Sequence, residues 1–207
     1  MPFQDISDST TFRMGVEHLR KAEPRLRQLL EKHGVFEFSC EGDPFETLVE
    51  SIISQQLNGS AAKSIFKKLK SCFDGGAITP QALNDLSRSK LRRAGVSPQK
   101  IRYLKDMSAR VLRGNLRLAE LNAMTDDEVV RVLDEVKGIG PWTAHMFLIF
   151  TLGRPDILPV DDLGIQDSIK KVYALRKRPS ADRMKQLAKK WHPYCSIAAL
   201  YLWHTRD

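Results

Sequence analysis

A chain of 207 residues with 33 Lys and Arg against 25 Asp and Glu carries a formal charge of +8; it is long enough for one large domain or two small lobes with a real core, and its basic balance suits a polyanionic partner such as nucleic acid. The three cysteines, Cys40, Cys72 and Cys195, are odd in number and far apart, so their spacing predicts no disulfide framework, zinc site or four-thiolate iron–sulfur site, and free thiols suit a reducing intracellular compartment. The longest apolar run, Ala144 to Leu152, is too short to span a membrane, and the N-terminus MPFQDISDST holds no signal-peptide core.

Apolar residues recur every three to four positions throughout, which predicts an all-α protein with no convincing strand. Residues 1–10 read as a loose arm. Thr11 to Lys32 is helix-forming, interrupted near Pro24 and ended by Gly34. After a loop over Cys40-Glu41-Gly42, Asp43-Pro44-Phe45-Glu46 opens a helix, with Asp as N-cap, Pro at the first position and Glu at the third. Its buried face is Phe45, Leu48, Val49, Ile52 and Ile53. Ser54-Gln55-Gln56-Leu57-Asn58-Gly59-Ser60 is a polar loop around a single leucine, and a helix runs on to Phe73 with Lys63, Lys67, Lys68 and Lys70 off its apolar face. Thr79 to Leu86 and Ser87 to Ala94 read as two short helices. The turn Gly95-Val96-Ser97-Pro98 leads into a helix through Val111, lined by Lys100, Arg102 and Lys105. Arg88–Arg93 and Ser97–Lys100 could touch phosphate, but a solvated face is the plainer reading of each. Thr125-Asp126-Asp127-Glu128 is a capping box ahead of a helix to Val136. Asp162 to Tyr173, Ser180 to Lys190 and Tyr194 to Trp203 complete the helices.

The chain is organised around Val136 to Ile165, VKGIGPWTAHMFLIFTLGRPDILPVDDLGI. Gly138 and Gly140 let backbone approach another molecule closely, and Pro141 suits a first helical turn. This turn would present N–H groups at a helix N-terminus, a natural phosphate site. Val-x-Gly-Ile-Gly-x-x-Thr-Ala, followed by Pro-x-Asp-Asp, resembles the helix-hairpin-helix DNA glycosylase superfamily, and within it the 3-methyladenine DNA glycosylase II type. The hairpin, a carboxylate 20 residues beyond Trp142 and the upstream Ser-Gln-Gln-Leu carry the resemblance together, over about Asp43 to Trp203.

The resemblance implies two helical lobes with a DNA-binding cleft between them. One lobe would span 43–153 and contain the hairpin at about 129–151; the other would join 1–42 to 154–207. It implies a monofunctional glycosylase that hydrolyses the N-glycosidic bond of alkylated purines in base excision repair. Asp162 would be the catalytic carboxylate, since Ile165 stands three residues on as the family pattern asks; Asp161 would cap or brace the turn. Helix capping is the plain reading of Asp162, and one residue can do both. Bifunctional relatives place a lysine where this chain has Trp142, so no Schiff base is expected and the abasic strand should stay intact. Trp142, Trp203 and Met146 would line the base pocket, although Trp203 is equally explained as core. Leu57, with Gln56 and Asn58, would enter the minor groove at the flipped nucleotide; packing between helices is the plain alternative for Leu57. Gly138 and Gly140 N–H groups and the Thr143 hydroxyl would hold phosphate.

No cofactor is implied. In the family the hairpin's carbonyls can bind sodium or potassium, and the donors here would be Val136 and Ile139. The histidines show no metal spacing and read as structural. The expected partner is double-stranded DNA containing damaged bases, met by a monomer without membrane association, in the nucleus if the source is eukaryotic and in the cytoplasm or nucleoid if bacterial. A glycosylase for another lesion and a non-catalytic hairpin DNA-binding protein are the competing readings. The presence of Asp162 argues against the second.

Overall fold

The computed structural model describes residues 5–40 and 42–206, and among them it is helical without strands. The helices are α1 (Ser9–Ala22), α2 (Pro24–His33), α3 (Pro44–Ser54), α4 (Gly59–Lys70), α5 (Pro80–Asp85), α6 (Arg88–Arg93), α7 (Pro98–Leu112), α8 (Asp126–Asp134), α9 (Pro141–Phe150), α10 (Leu163–Val172), α11 (Ala181–Ala188) and α12 (Cys195–Trp203). None is long and apolar enough to cross a membrane.

Local chemistry sets most helix starts. Asp43 accepts from the Phe45 and Glu46 N–H groups, Asn58, Ser87 and Ser97 cap α4, α6 and α7, and Thr125 with Glu128 forms a complete capping box on α8. Pro24, Pro44, Pro80 and Pro98 occupy first turns, where the missing N–H costs nothing.

Contacts divide the chain into a central unit, Gly42–Phe147, and a terminal unit, Met1–Glu41 with Leu148–Asp207. The division falls inside α9 rather than after it at Gly153. The last turn of α9 packs within the terminal unit: the Phe150 ring lies 5.9 Å from Phe38 and 5.5 Å from Trp203. In the central unit α3 supplies a fully apolar face, Phe45, Leu48, Val49, Ile52 and Ile53, each at most 2% exposed. In the terminal unit α12 is buried on every side from Cys195 to Leu202, with α1, α2 and α10 packed on it. A helix enclosed in this way is apolar all round, as its sequence is.

The N-terminal arm is not loose where it is described. Ile6 is fully buried, its N–H donates to the Gly153 carbonyl at 2.9 Å, and α1 begins at Ser9 with Asp8 as cap. Residues 1–4 of the expected arm and Glu41 of the expected loop lie outside the described residues.

Gly15 shows how tightly α1 sits on α12. A Cβ there would lie 2.3 Å from Ile197 Cδ1 and 2.9 Å from the Tyr194 ring. Alanine normally gains about 1 kcal/mol over glycine inside a helix, whereas overpacking costs about 1–3 kcal/mol. Gly15→Ala should therefore destabilise the protein by about 1–2 kcal/mol in urea unfolding; a stabilised variant would contradict this packing.

Candidate active site and nucleic-acid interface

Asp162 starts α10. Its backbone is extended, and its Oδ1 accepts the Ile165 N–H at 2.7 Å. The same oxygen accepts the Trp203 indole N–H at 3.2 Å. The turn before it is closed by its own N–H on the Pro159 carbonyl at 3.0 Å and by the Gln166 amide on the Val160 carbonyl at 2.9 Å. The carboxylate is thus held from its own helix and, through the edge of the Trp203 indole, from the end of α12. Trp203 is half-buried, neither core nor open surface, and its ring lies against Phe150. Asp161 neither caps nor braces the turn: its side chain is exposed and makes no hydrogen bond among the described residues. Asp162 performs the capping itself.

The central unit assembles Trp142 and Met146 of α9 on one pocket of about 550 Å³, with Thr47, Glu50, Ser51 and Ser54 of α3 and Gln55 and Gln56 of the following loop. Trp142 is 42% exposed. Glu50 was not singled out from the sequence, yet the signal is there: Thr47, Glu50, Ser51 and Ser54 form a polar stripe at helical spacing opposite the apolar face.

The loop after α3 turns through Gln56, a non-glycine residue at φ +57°, and leaves Leu57 40% exposed rather than packed between helices. Two contacts brace it. Lys100 Nζ donates to the Ile53 and Gln55 carbonyls at 2.6 and 2.7 Å, closing the C-terminus of α3, and the Gln55 amide donates to the Gly138 carbonyl at 2.6 Å. Lys100 is therefore neither a solvated face nor a phosphate ligand, and desolvation lowers its pKa. Lys105 likewise closes α5, donating to the carbonyls of Leu83, Asn84 and Leu86. Asn58 caps α4 through its Oδ1, which accepts the Ala61 N–H at 2.8 Å and the Ser60 hydroxyl at 3.0 Å.

In the hairpin Gly138 has φ +88°, and Ile139, 3% exposed, closes the turn by donating to the Val136 carbonyl at 2.9 Å. A Cβ on Gly138 would stand 2.2 Å from Tyr103 Cδ2, so Tyr103 of α7 dictates glycine there. A Cβ on Gly140 would meet nothing within 4 Å, which leaves room for an outside molecule. The N–H groups of both glycines make no hydrogen bond among the described residues. Thr143 is 4% exposed, and burial removes its hydroxyl from the surface where a phosphate was expected.

Residues 49–193 match the family model described as HhH-GPD superfamily base excision DNA repair protein. DNA-3-methyladenine glycosylase 1 of Schizosaccharomyces pombe is 34% identical over 165 residues, 79% of this chain and 72% of that protein. The solved structure of a Schizosaccharomyces pombe 3-methyladenine DNA glycosylase in complex with abasic DNA superposes with a TM-score of 0.83 at 31% identity, covering 93% of this chain and 96% of that one. A DNA-3-methyladenine glycosidase structure from Bacillus halodurans gives 0.84 at 35% identity, covering 99% and 92%. With the glycine hairpin on α9, the capped Asp162 and these likenesses, the chain belongs to the HhH-GPD superfamily of base excision DNA repair proteins, as a DNA glycosylase.

Proposed function

We propose that the protein hydrolyses the N-glycosidic bond of alkylated purines of the 3-methyladenine and 7-methylguanine kind in double-stranded DNA, with Asp162 as the catalytic carboxylate. The observation that carries this reading is the double anchoring of Asp162 Oδ1 by the Ile165 and Trp203 N–H groups. A glycosidic bond breaks with positive charge building on the sugar, and a preorganised carboxylate stabilises that charge or orients the attacking water. Trp142 stands where a Schiff-base lysine would have to be, so water takes the sugar and the abasic strand stays whole.

The base must leave the stack to react. Leu57 is exposed at the tip of a braced loop, fit to wedge into the helix beside Gln56. The pocket formed by Trp142, Met146 and Glu50 sets an indole and a carboxylate around the same space. Both attract a base carrying positive charge; the indole contributes about 0.5–2 kcal/mol. Gly138 and Gly140 offer their N–H groups to phosphate, a contact that positions without reading sequence. A sodium or potassium ion on the Val136 and Ile139 carbonyls would strengthen that contact. The Val136 oxygen accepts one hydrogen bond and keeps a second lone pair for it. The protein would act as a monomer inside the cell, wherever the DNA lies.

Asp162→Asn should lower single-turnover base release by about 10²-fold or more while duplex affinity is retained. Asp161→Asn should do little; the opposite order would assign the chemistry to the wrong carboxylate. Leu57→Ala should slow excision about tenfold on fully paired duplex and much less on a mismatched or single-stranded target, where little unstacking is required. Equal losses on both substrates would make Leu57 a packing residue.

A further inference from the structure

Asp156, His192 and Cys195 are separated by 36 and 39 residues from first to second and first to third, a spacing in which no metal motif is legible. The terminal unit brings one ligand atom of each within 4.8 Å of the others. His192 Nδ1 lies 2.7 Å from an Asp156 carboxylate oxygen and 3.6 Å from Cys195 Sγ. We propose that these three side chains form a site for a single zinc ion, which clamps the loop leading to Asp162 onto the N-terminus of α12.

The donor set is one nitrogen, one sulfur and one oxygen, the set that zinc accepts, with water as fourth ligand. Bond lengths of about 2.3 Å to sulfur and about 2.05 Å to nitrogen at the tetrahedral angle put the two ligand atoms about 3.6 Å apart. The Cys195–His192 separation already has that value. The His192–Asp156 pair is closer, as a hydrogen-bonded pair must be, and an entering ion replaces that bond by spreading the two groups. The His192 and Asp156 side chains are 52% and 32% exposed, so an ion reaches them from solvent, and Cys195 forms the buried floor.

A nucleophilic thiol is the competing use of such a trio, and the geometry rejects it. The carboxylate and the sulfur both address Nδ1, with Nε2 farther from the sulfur at 4.0 Å, so the ring cannot relay a proton between them. Cys195 is also fully buried, and burial with the neighbouring Asp156 charge pushes its thiol well above the usual range. A divalent cation reverses that balance: the Cys195 S–H bond breaks, the proton leaves to solvent, and the sulfur lone pair binds the metal.

The position gives the ion something to hold. The Ser196 hydroxyl donates to the Arg154 carbonyl at 2.6 Å and accepts the Ile157 N–H at 2.9 Å, and the Cys195 N–H meets Asp156 at 3.2 Å. This stitched junction is six residues before Asp162 on one strand of chain and eight before Trp203 on the other. Those two residues are hydrogen bonded to each other.

The test is a titration of the metal-free 207-residue chain with cadmium, read by the thiolate-to-cadmium charge-transfer band in the ultraviolet, followed by displacement with zinc. One equivalent should saturate the band and zinc should abolish it. Cys195→Ala should lose the band, and His192→Gln, an exposed substitution that leaves the core intact, should weaken cadmium binding at least about tenfold. No band in the folded wild-type chain, a band undiminished in Cys195→Ala, or unchanged affinity in His192→Gln would each overturn the site. Because the readout is spectroscopic, it stands or falls independently of glycosylase activity.

Discussion

One carboxylate oxygen, Asp162 Oδ1, ties the start of α10 to the end of α12 through an amide N–H and an indole N–H. A group held by two donors is preorganised: it need not reorient when charge appears on a sugar, which is where electrostatic stabilisation is most effective. Much of the terminal unit serves that placement. α12 is enclosed so that Trp203 emerges at a fixed point, and the Ser196 bridge pins the loop that carries Asp156 and then Asp162. Capping and the catalysis proposed for Asp162 make compatible demands on one residue, since both ask for an oriented carboxylate at a helix N-terminus.

The central unit holds its proposed DNA-recognition loop by the same logic. An exposed leucine on a polar loop would fold back on the protein unless its loop were fixed. Here Lys100 fills the open carbonyls at the end of α3, and Gln55 ties the loop to the hairpin at Gly138. The loop and the hairpin are thereby one assembly, braced again by Tyr103, whose ring fills the space a side chain on Gly138 would need. The polar cost of stripping water from the Lys100 ammonium is offset by two carbonyl partners.

Features encoded locally were legible in the sequence. The caps at Asp43 and Thr125, the first-turn prolines and the glycine hairpin act within four residues of themselves, so spacing alone reveals them. Features that depend on distant partners were not. Ile6 reads as part of a loose arm because its partner carbonyl is at Gly153, and Lys100 reads as a solvated cation because nothing nearby in sequence names Ile53 as its acceptor. Thr143 follows a phosphate-binding pattern, but the helix turns its side chain inward, and Asn58 uses its oxygen to cap α4. The resemblance marks Asp162 and Trp203 singly; the fold joins them by a hydrogen bond.

In the proposed reaction water releases a charged base at an anchored carboxylate, without lyase chemistry. Single-turnover excision from one duplex carrying 3-methyladenine, 7-methylguanine or hypoxanthine, scored before and after alkali, tests it most directly. The two methylated bases should be released faster than hypoxanthine, with strands that break only after alkali. Hypoxanthine released as fast as 3-methyladenine, or strands broken before alkali, would contradict it.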